Sequence, residues 1–143
     1  MKADLVFWDS KTQSKNGTIR GLLAIVILVP IMFIWYGYIF TGYSKYINVV
    51  NKTRSFIALF LFVVLLASAI AVVQPKVGLA SIFYGILVGL VIFGCINLVY
   101  LAIQPYPVSM AVVDTLFGMF LSGVVSYILY LVFWKTEKHV ITE

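Results

Sequence analysis

Charged residues are scarce in this chain of 143 residues, at 10% of the sequence, whereas apolar residues make up 63%. An average soluble domain contains about 25% charged residues. A soluble catalytic domain is therefore excluded, and the composition indicates an integral membrane protein. The net charge of +5 lies in tails and loops. There it is a sign of membrane topology and headgroup contact rather than of a nucleic-acid surface.

Cysteine and histidine occur once each, as Cys95 and His139. One cysteine cannot form an internal disulfide, and these two residues are too few to build a metal site. The chain also lacks a glycine-rich phosphate loop, a His-Glu metal signature and a nucleophile elbow with a histidine in reach. We therefore expect no metal, no cofactor, no nucleic-acid partner and no enzymatic activity.

Apolar segments fill most of the remaining sequence. Each reaches or approaches the roughly 20 residues needed to cross a bilayer, and only helices can cross it in segments of this kind. The prediction is an all-α, four-helix antiparallel transmembrane bundle over residues 21–134, with a polar or amphipathic N-terminal arm at 1–20 and a polar tail at 135–143. The predicted spans are residues 21–41, 56–73, 77–103 and 108–134.

Two short turns, at residues 74–76 and 104–107, make helices that are neighbours in sequence antiparallel neighbours in space. Of the ten Lys and Arg residues, three lie in the longer loop at 42–55 and the other seven lie in the arm, the 74–76 turn and the tail. Because cytoplasmic loops carry an excess of Lys and Arg, both termini are predicted on the cytoplasmic or interior side of a multi-pass membrane protein.

Asp114 is a single carboxylate inside the apolar segment 108–134. An ionised Asp at the centre of a bilayer costs about 2.5 to 3.5 kcal/mol, so such residues usually face a protein interior. Asn97 lies as far before the 104–107 turn as Asp114 lies after it. An antiparallel hairpin therefore places the two at equal depth, as a polar intramembrane pair.

The same reflection through the turn predicts a close-packed face on both helices. It pairs Phe93 with Gly118, Gly89 with Ser122, Gly85 with Ser126, and Ser81 with Tyr130. Residues four apart share one helix face, and small residues let the backbones approach closely. The predicted packing residues are Ser81, Gly85, Gly89, Phe93, Gly118, Ser122 and Ser126.

Two roles compete for the Asn97 and Asp114 pair. In the first, Asp114 is neutral, exchanges hydrogen bonds with Asn97 or with Ser109, Thr115 or Tyr100, and fixes the helix register. In the second, Asp114 lines a hydrated cavity and binds a proton, a cation or a substrate amine. The first is favoured, because the spans contain no second carboxylate, Arg or His with which to build a relay.

The N-terminal arm and the 42–55 loop combine aromatic and basic residues. Such segments anchor at a membrane interface or dock onto other protein subunits. The predicted contact residues, with the lipid bilayer and other subunits as partners, are Phe7, Trp8, Lys45, Lys52 and Arg54.

Residues 80–127 resemble the core of a family of small, uncharacterised four-helix membrane proteins found mainly in bacteria, with relatives in some large DNA viruses. Where the family has a Tyr-Asp pair, this chain has Phe93 and Gly94. The resemblance implies the fold and topology and leaves function open. The matching residues are Tyr84-Gly85, Gly89, Asn97-Leu98, Tyr106-Pro107, Asp114 and Phe117-Gly118.

The sequence thus favours a multi-pass membrane protein with a structural or assembly role, which anchors a larger protein assembly to a membrane. One version is a protein of a virion inner membrane that ties a capsid shell to the bilayer. The alternative is a small proton-coupled or channel-like transporter that uses Asp114 and Asn97.

Overall fold

The computed structural model describes residues 10–39, 52–73 and 77–140, with side chains described at 17–39, 56–73 and 77–133. Four helices occupy these ranges, and the predicted all-α bundle is confirmed. Helix α1 is Ser10–Ile34 and continues into a π-helical turn, Trp35–Ile39. The others are α2 (Lys52–Val72), α3 (Gly78–Ile103) and α4 (Val108–Val140).

Three stretches are long and apolar enough to cross a membrane, namely Gly17–Ile39, Gly78–Ile103 and Val108–Phe133. The chain is therefore a membrane protein. The remaining predicted span, 56–73, corresponds to a shorter apolar stretch, Phe56–Val72.

The helices at both ends of the bundle are longer than the predicted spans. Helix α1 begins at Ser10, inside the predicted arm, and α4 continues to Val140, inside the predicted tail. The predicted boundaries at residues 20 and 135 are therefore not helix boundaries. Apolar patterning detects only the part of a helix that contacts lipid or protein, whereas backbone hydrogen bonds continue the helix through polar residues.

The bundle consists of two antiparallel hairpins, α1 with α2 and α3 with α4, and the α3–α4 interface is the most extensive. At one end, Arg20 lies 5.3 Å from the ring centre of Phe133. Gly21 lies against Ala71 at the same end. The 104–107 turn is at the opposite end, so α1 starts and α4 finishes on the same side of the bundle.

Buried side chains recur every four residues along the helices. Packing along rows of this spacing is typical of helices whose i±4 ridges interdigitate, which lets backbones cross closely when the residues are small. On α3 the row is Ser81, Gly85, Gly89, Phe93 and Asn97. Two further rows are Arg20, Ala24, Leu28 and Met32 on α1, and Asp114, Gly118, Ser122 and Ser126 on α4.

Candidate functional site

The side chain of Asp114 is 1% exposed and joins three helices. Its Oδ1 accepts hydrogen bonds from Trp35 Nε1 at 3.0 Å and from Tyr36 Oη at 2.9 Å. Its Oδ2 accepts one from Asn97 Nδ2 at 3.0 Å, and Tyr36 Oη is 3.2 Å away. Both carboxyl oxygens are thus surrounded by donors from α1 and α3.

The end of α1 presents two adjacent aromatic residues to this carboxyl group. Trp35 and Tyr36 open the π-helical turn, which follows the row of buried residues that ends at Met32. A π-helical turn contains more residues than an α-helical one and so changes which side chains face the bundle. The Trp35 ring stacks on Phe117, with ring centres 3.7 Å apart and planes 3° from parallel. Phe117 is one turn from Asp114 on α4, so the stacking holds the indole N–H at the carboxyl group.

A chain of hydrogen bonds orients the amide of Asn97. The Thr115 hydroxyl donates to the Ala111 carbonyl at 2.7 Å, which leaves its oxygen to accept from Asn97 Nδ2 at 3.1 Å. The amide nitrogen therefore faces α4 and its two acceptors. Asn97 Oδ1 is buried and has no hydrogen-bond partner within the described side chains.

The chemistry of the site is that of an acceptor surrounded by neutral donors. A Trp N–H can only donate, and the Asn97 nitrogen is also a donor, so both bonds suit a carboxyl oxygen that carries no proton. Tyr106, in the 104–107 turn, is buried, and this burial raises the pKa of its hydroxyl. Within the described ranges, no group of three His, Cys, Asp or Glu side chains could hold a metal ion.

The structure brings Asn97 and Asp114 together through the 3.0 Å hydrogen bond from Asn97 Nδ2 to Asp114 Oδ2. It also brings Phe93 against Gly118, where an added Cβ atom would overlap the Phe93 ring. An added Cβ on Gly85 would overlap the Ser122 carbonyl, and one on Gly89 would overlap the Gly118 carbonyl. The predicted small-residue face is thus the α3–α4 contact surface.

Beyond Phe93, the predicted pairings on this face are shifted along α4. Gly89 lies closest to Gly118 and Met119 rather than to Ser122, and Gly85 lies against Ser122 as well as its predicted partner Ser126. Ser81 does not lie opposite Tyr130; its hydroxyl donates to the Ser126 carbonyl at 2.8 Å and lies 2.9 Å from Ser126 Oγ. Tyr130 instead packs beside Gly78. Because the helices cross, a residue far from the turn meets a partner up to one helical turn away from its mirror position.

Sequence reasoning missed the two donors on α1 and the location of Arg20. Trp35 and Tyr36 lie toward the end of an apolar span. If α1 and α4 are assumed to be antiparallel, these two residues lie near the level of Asp114, and this assumption could have identified them as donors. Arg20 was predicted in the polar arm, but it is 6% exposed and lies over the Phe133 ring.

The predicted partner contacts fall largely outside the described residues. This applies to Phe7, Trp8 and Lys45 entirely. Lys52 and Arg54 lie in the first turn of α2, and their side chains are outside the described set.

No protein-family model, curated protein or solved structure matches this sequence. The resemblance of residues 80–127 to small four-helix membrane proteins therefore stays a prediction.

Replacing Tyr36 with phenylalanine removes one hydroxyl and keeps the ring. We expect Tyr36→Phe to lower the free energy of unfolding by about 1 kcal/mol, because Asp114 loses a donor that reaches both its oxygens. Tyr38→Phe is the matched control, since Tyr38 lies in the same π-helical turn but is 73% exposed. Unfolding titrations in detergent micelles measure both variants. Equal stability of Tyr36→Phe and Tyr38→Phe would show that the hydroxyl contributes nothing.

Proposed function

We propose that the protein is a multi-pass structural component that anchors a larger protein assembly, such as a viral capsid shell, to a membrane. The observation that carries the proposal is the closed environment of Asp114. Its two oxygens accept from Trp35, Tyr36 and Asn97, and its side chain is 1% exposed. The acid is used to join helices.

Transport would require a different environment for this residue. Intramembrane acids that carry ions or protons line water-filled cavities or pathways. The donors around Asp114 occupy the positions that water or a cation would need, and the stacked Trp35 and Phe117 rings lie beside it. A closed cluster of this kind suits a fixed bundle geometry, which an anchoring protein needs.

The helical extensions supply a surface for assembly partners. Helix α1 includes polar residues from Ser10 onward ahead of its apolar part, and α4 continues through polar residues to Val140. Both project from the same end of the bundle, and their sequences contain Lys11, Lys15, Lys135 and Lys138. We therefore assign partner contact to this end.

The transporter remains the second candidate because of two observations at the same site. The donors to Asp114 are all uncharged, so none of them neutralises an ionised carboxylate, and a bound proton would do so. Asn97 Oδ1, which has no hydrogen-bond partner within the described side chains, offers a second acceptor on a residue that contacts Asp114.

Asp114→Asn separates the two candidates. We expect the variant to fold, because the new amide oxygen can accept from Trp35 and Tyr36, and its nitrogen can donate to Asn97 Oδ1 if that amide rotates. Proteoliposomes under a pH gradient should then show the same proton flux for the wild type and the variant. A wild-type flux that disappears in a folded Asp114→Asn protein would instead establish transport.

Deleting residues 1–9 tests the assembly role directly. Native mass measurement of the protein extracted with its lipids should show a defined partner complex for the full chain and its loss for the deletion variant. The bundle should stay folded, since the deletion removes no residue of the described helix Ser10–Ile34. A deletion variant that retains every partner would remove the arm from the assembly surface.

A further inference from the structure

The exposed apolar surface of the bundle differs in height from helix to helix. On α2 it runs from Phe56 to Val73, one residue past the helix, and on α3 it runs from Val77, one residue before the helix, to Ile103. At 1.5 Å per residue, these distances are about 25 Å and about 39 Å. On α4, exposed apolar side chains run from Val108 to Val132, which is about 36 Å.

Polar residues limit the apolar surface of α2 at both ends. Lys52, Thr53, Arg54 and Ser55 precede Phe56, and Gln74, Pro75 and Lys76 follow Val73. The 25 Å height is therefore set by the sequence of α2 and cannot be increased without placing charged or amide groups in hydrocarbon. Such placement is unfavourable by several kcal/mol for Lys or Arg far from the interface.

Two contacts show how α2 is aligned with the longer α3. The rings of Phe62 and Phe93 meet edge to face at 5.2 Å, and the Tyr84 hydroxyl donates to the Ala69 carbonyl at 2.5 Å. These pairs place Phe56 near the depth of Leu98, and Val72 near the depth of Ser81. Helix α3 thus extends beyond the apolar part of α2 at both ends.

Tilting the bundle cannot remove this difference. A typical hydrocarbon core is about 30 Å thick, so tilt could bring the height of α3 down to that value. The same rotation would reduce the height of α2 further below about 25 Å, because the two helices pack side by side. A thinner bilayer next to α2 would remove the mismatch that tilt leaves.

We propose that the α2 face of the bundle takes a locally thin bilayer, so that the lipid partner on this side is a phospholipid with short acyl chains. The α3 and α4 faces match hydrocarbon of ordinary or greater thickness. The membrane around the protein is consequently thinner on one side of the bundle than on the other. The proposal rests on the membrane insertion of the chain and does not depend on the assembly role.

Reconstitution into phosphatidylcholine vesicles with monounsaturated chains of about 14 to 22 carbons, which span the usual range of hydrophobic mismatch, tests the proposal. The unfolding midpoint of the wild type should be lower in the longest-chain lipids of this series than in shorter ones, because the α2 face cannot match the thickest bilayer. The triple variant Thr53→Leu, Arg54→Leu and Ser55→Leu lengthens the apolar part of α2 by three residues, or about 4.5 Å. Its optimum should move to lipids with longer chains, because the apolar part of α2 then matches a thicker bilayer.

Arg54→Lys is the control, because it changes the same position and keeps the charge that ends the apolar surface. Its optimum should coincide with that of the wild type. A wild-type optimum at the longest chains would overturn the proposal, because α3 and α4 would then set the preferred thickness. The lipid optimum of the wild type alone therefore tests the proposal, even if the triple variant does not fold. Failure to insert in any lipid would instead contradict membrane placement, and loss of a partner complex would not affect this measurement.

Discussion

Asp114→Ala is expected to lower the free energy of unfolding by about 2 to 5 kcal/mol, the largest effect of any single truncation at the site. The substitution leaves the Trp35 N–H, the Tyr36 hydroxyl and the Asn97 amide without their shared acceptor. The lower figure takes about 0.6 kcal/mol for each membrane hydrogen bond, and the upper one adds the penalty for buried donors left unsatisfied.

Comparing Asp114→Ala with Asp114→Asn separates the loss of the hydrogen-bond acceptor from the replacement of the residue. The asparagine variant retains acceptors for α1 and should lose much less stability than the alanine variant. Val113→Ala controls for the removal of side-chain volume, since Val113 is the neighbouring residue on α4 and is 47% exposed. Reversible unfolding in mixed micelles measures the three variants. If Asp114→Ala behaves like Val113→Ala, the carboxyl group does not hold the hairpins together.

Gly89→Ala is expected to destabilise the α3–α4 hairpin by about 1 to 3 kcal/mol, as overpacking of a tight interior does. The added Cβ would overlap the Gly118 carbonyl and would lie 2.7 Å from Met119 Cα. Both are backbone atoms, so no side-chain rotation can relieve the overlap. The helices would have to separate, which would also lengthen the bond from Asn97 to Asp114.

Gly94→Ala is the matched control on the same helix. Its added Cβ would lie 3.9 Å from Thr115 Cγ2 and 4.0 Å from Leu90 Cδ1, which are ordinary contacts. In soluble helices alanine is favoured over glycine by about 1 kcal/mol, so this variant should be neutral or more stable. Thermal unfolding of both variants in the same detergent gives the comparison. A loss of stability in Gly94→Ala equal to that in Gly89→Ala would mean that close packing at Gly89 is not the cause.

The sequence could predict that Asn97 and Asp114 lie at the same level of the hairpin, because a four-residue turn connects α3 to α4. Covalent connection fixes both the direction and the starting register of such a hairpin, so counting residues from the turn is sufficient near it. The same count is already shifted at Gly89, which lies against Gly118 rather than Ser122, and it failed at Ser81, where the crossing of the helices brings in Ser126 instead of Tyr130. Prediction by reflection thus loses accuracy with distance from the connection.

The donors on α1 could not be predicted in the same way. The long connection at 42–55 leaves the position of α1 around the hairpin undetermined, and the π-helical turn changes the direction of Trp35 and Tyr36 relative to a regular helix. Likewise, the sequence does not distinguish Gly89 from Gly94. Only the crossing of α3 and α4 places Gly89 against the backbone of α4, where a larger residue would overlap it.

The location of Asp114 in the last helix has a consequence for how the protein enters a membrane. Synthesis proceeds from the N-terminus, so Trp35, Tyr36 and Asn97 are made before the carboxyl group that they bind. Trp and Tyr side chains rest favourably at the membrane interface while they wait, since one end of each is apolar and the other is hydrated. The carboxyl group of Asp114 then enters the bilayer next to hydrogen-bond donors that are already present. Because of this order along the chain, the acid is not exposed to lipid without partners.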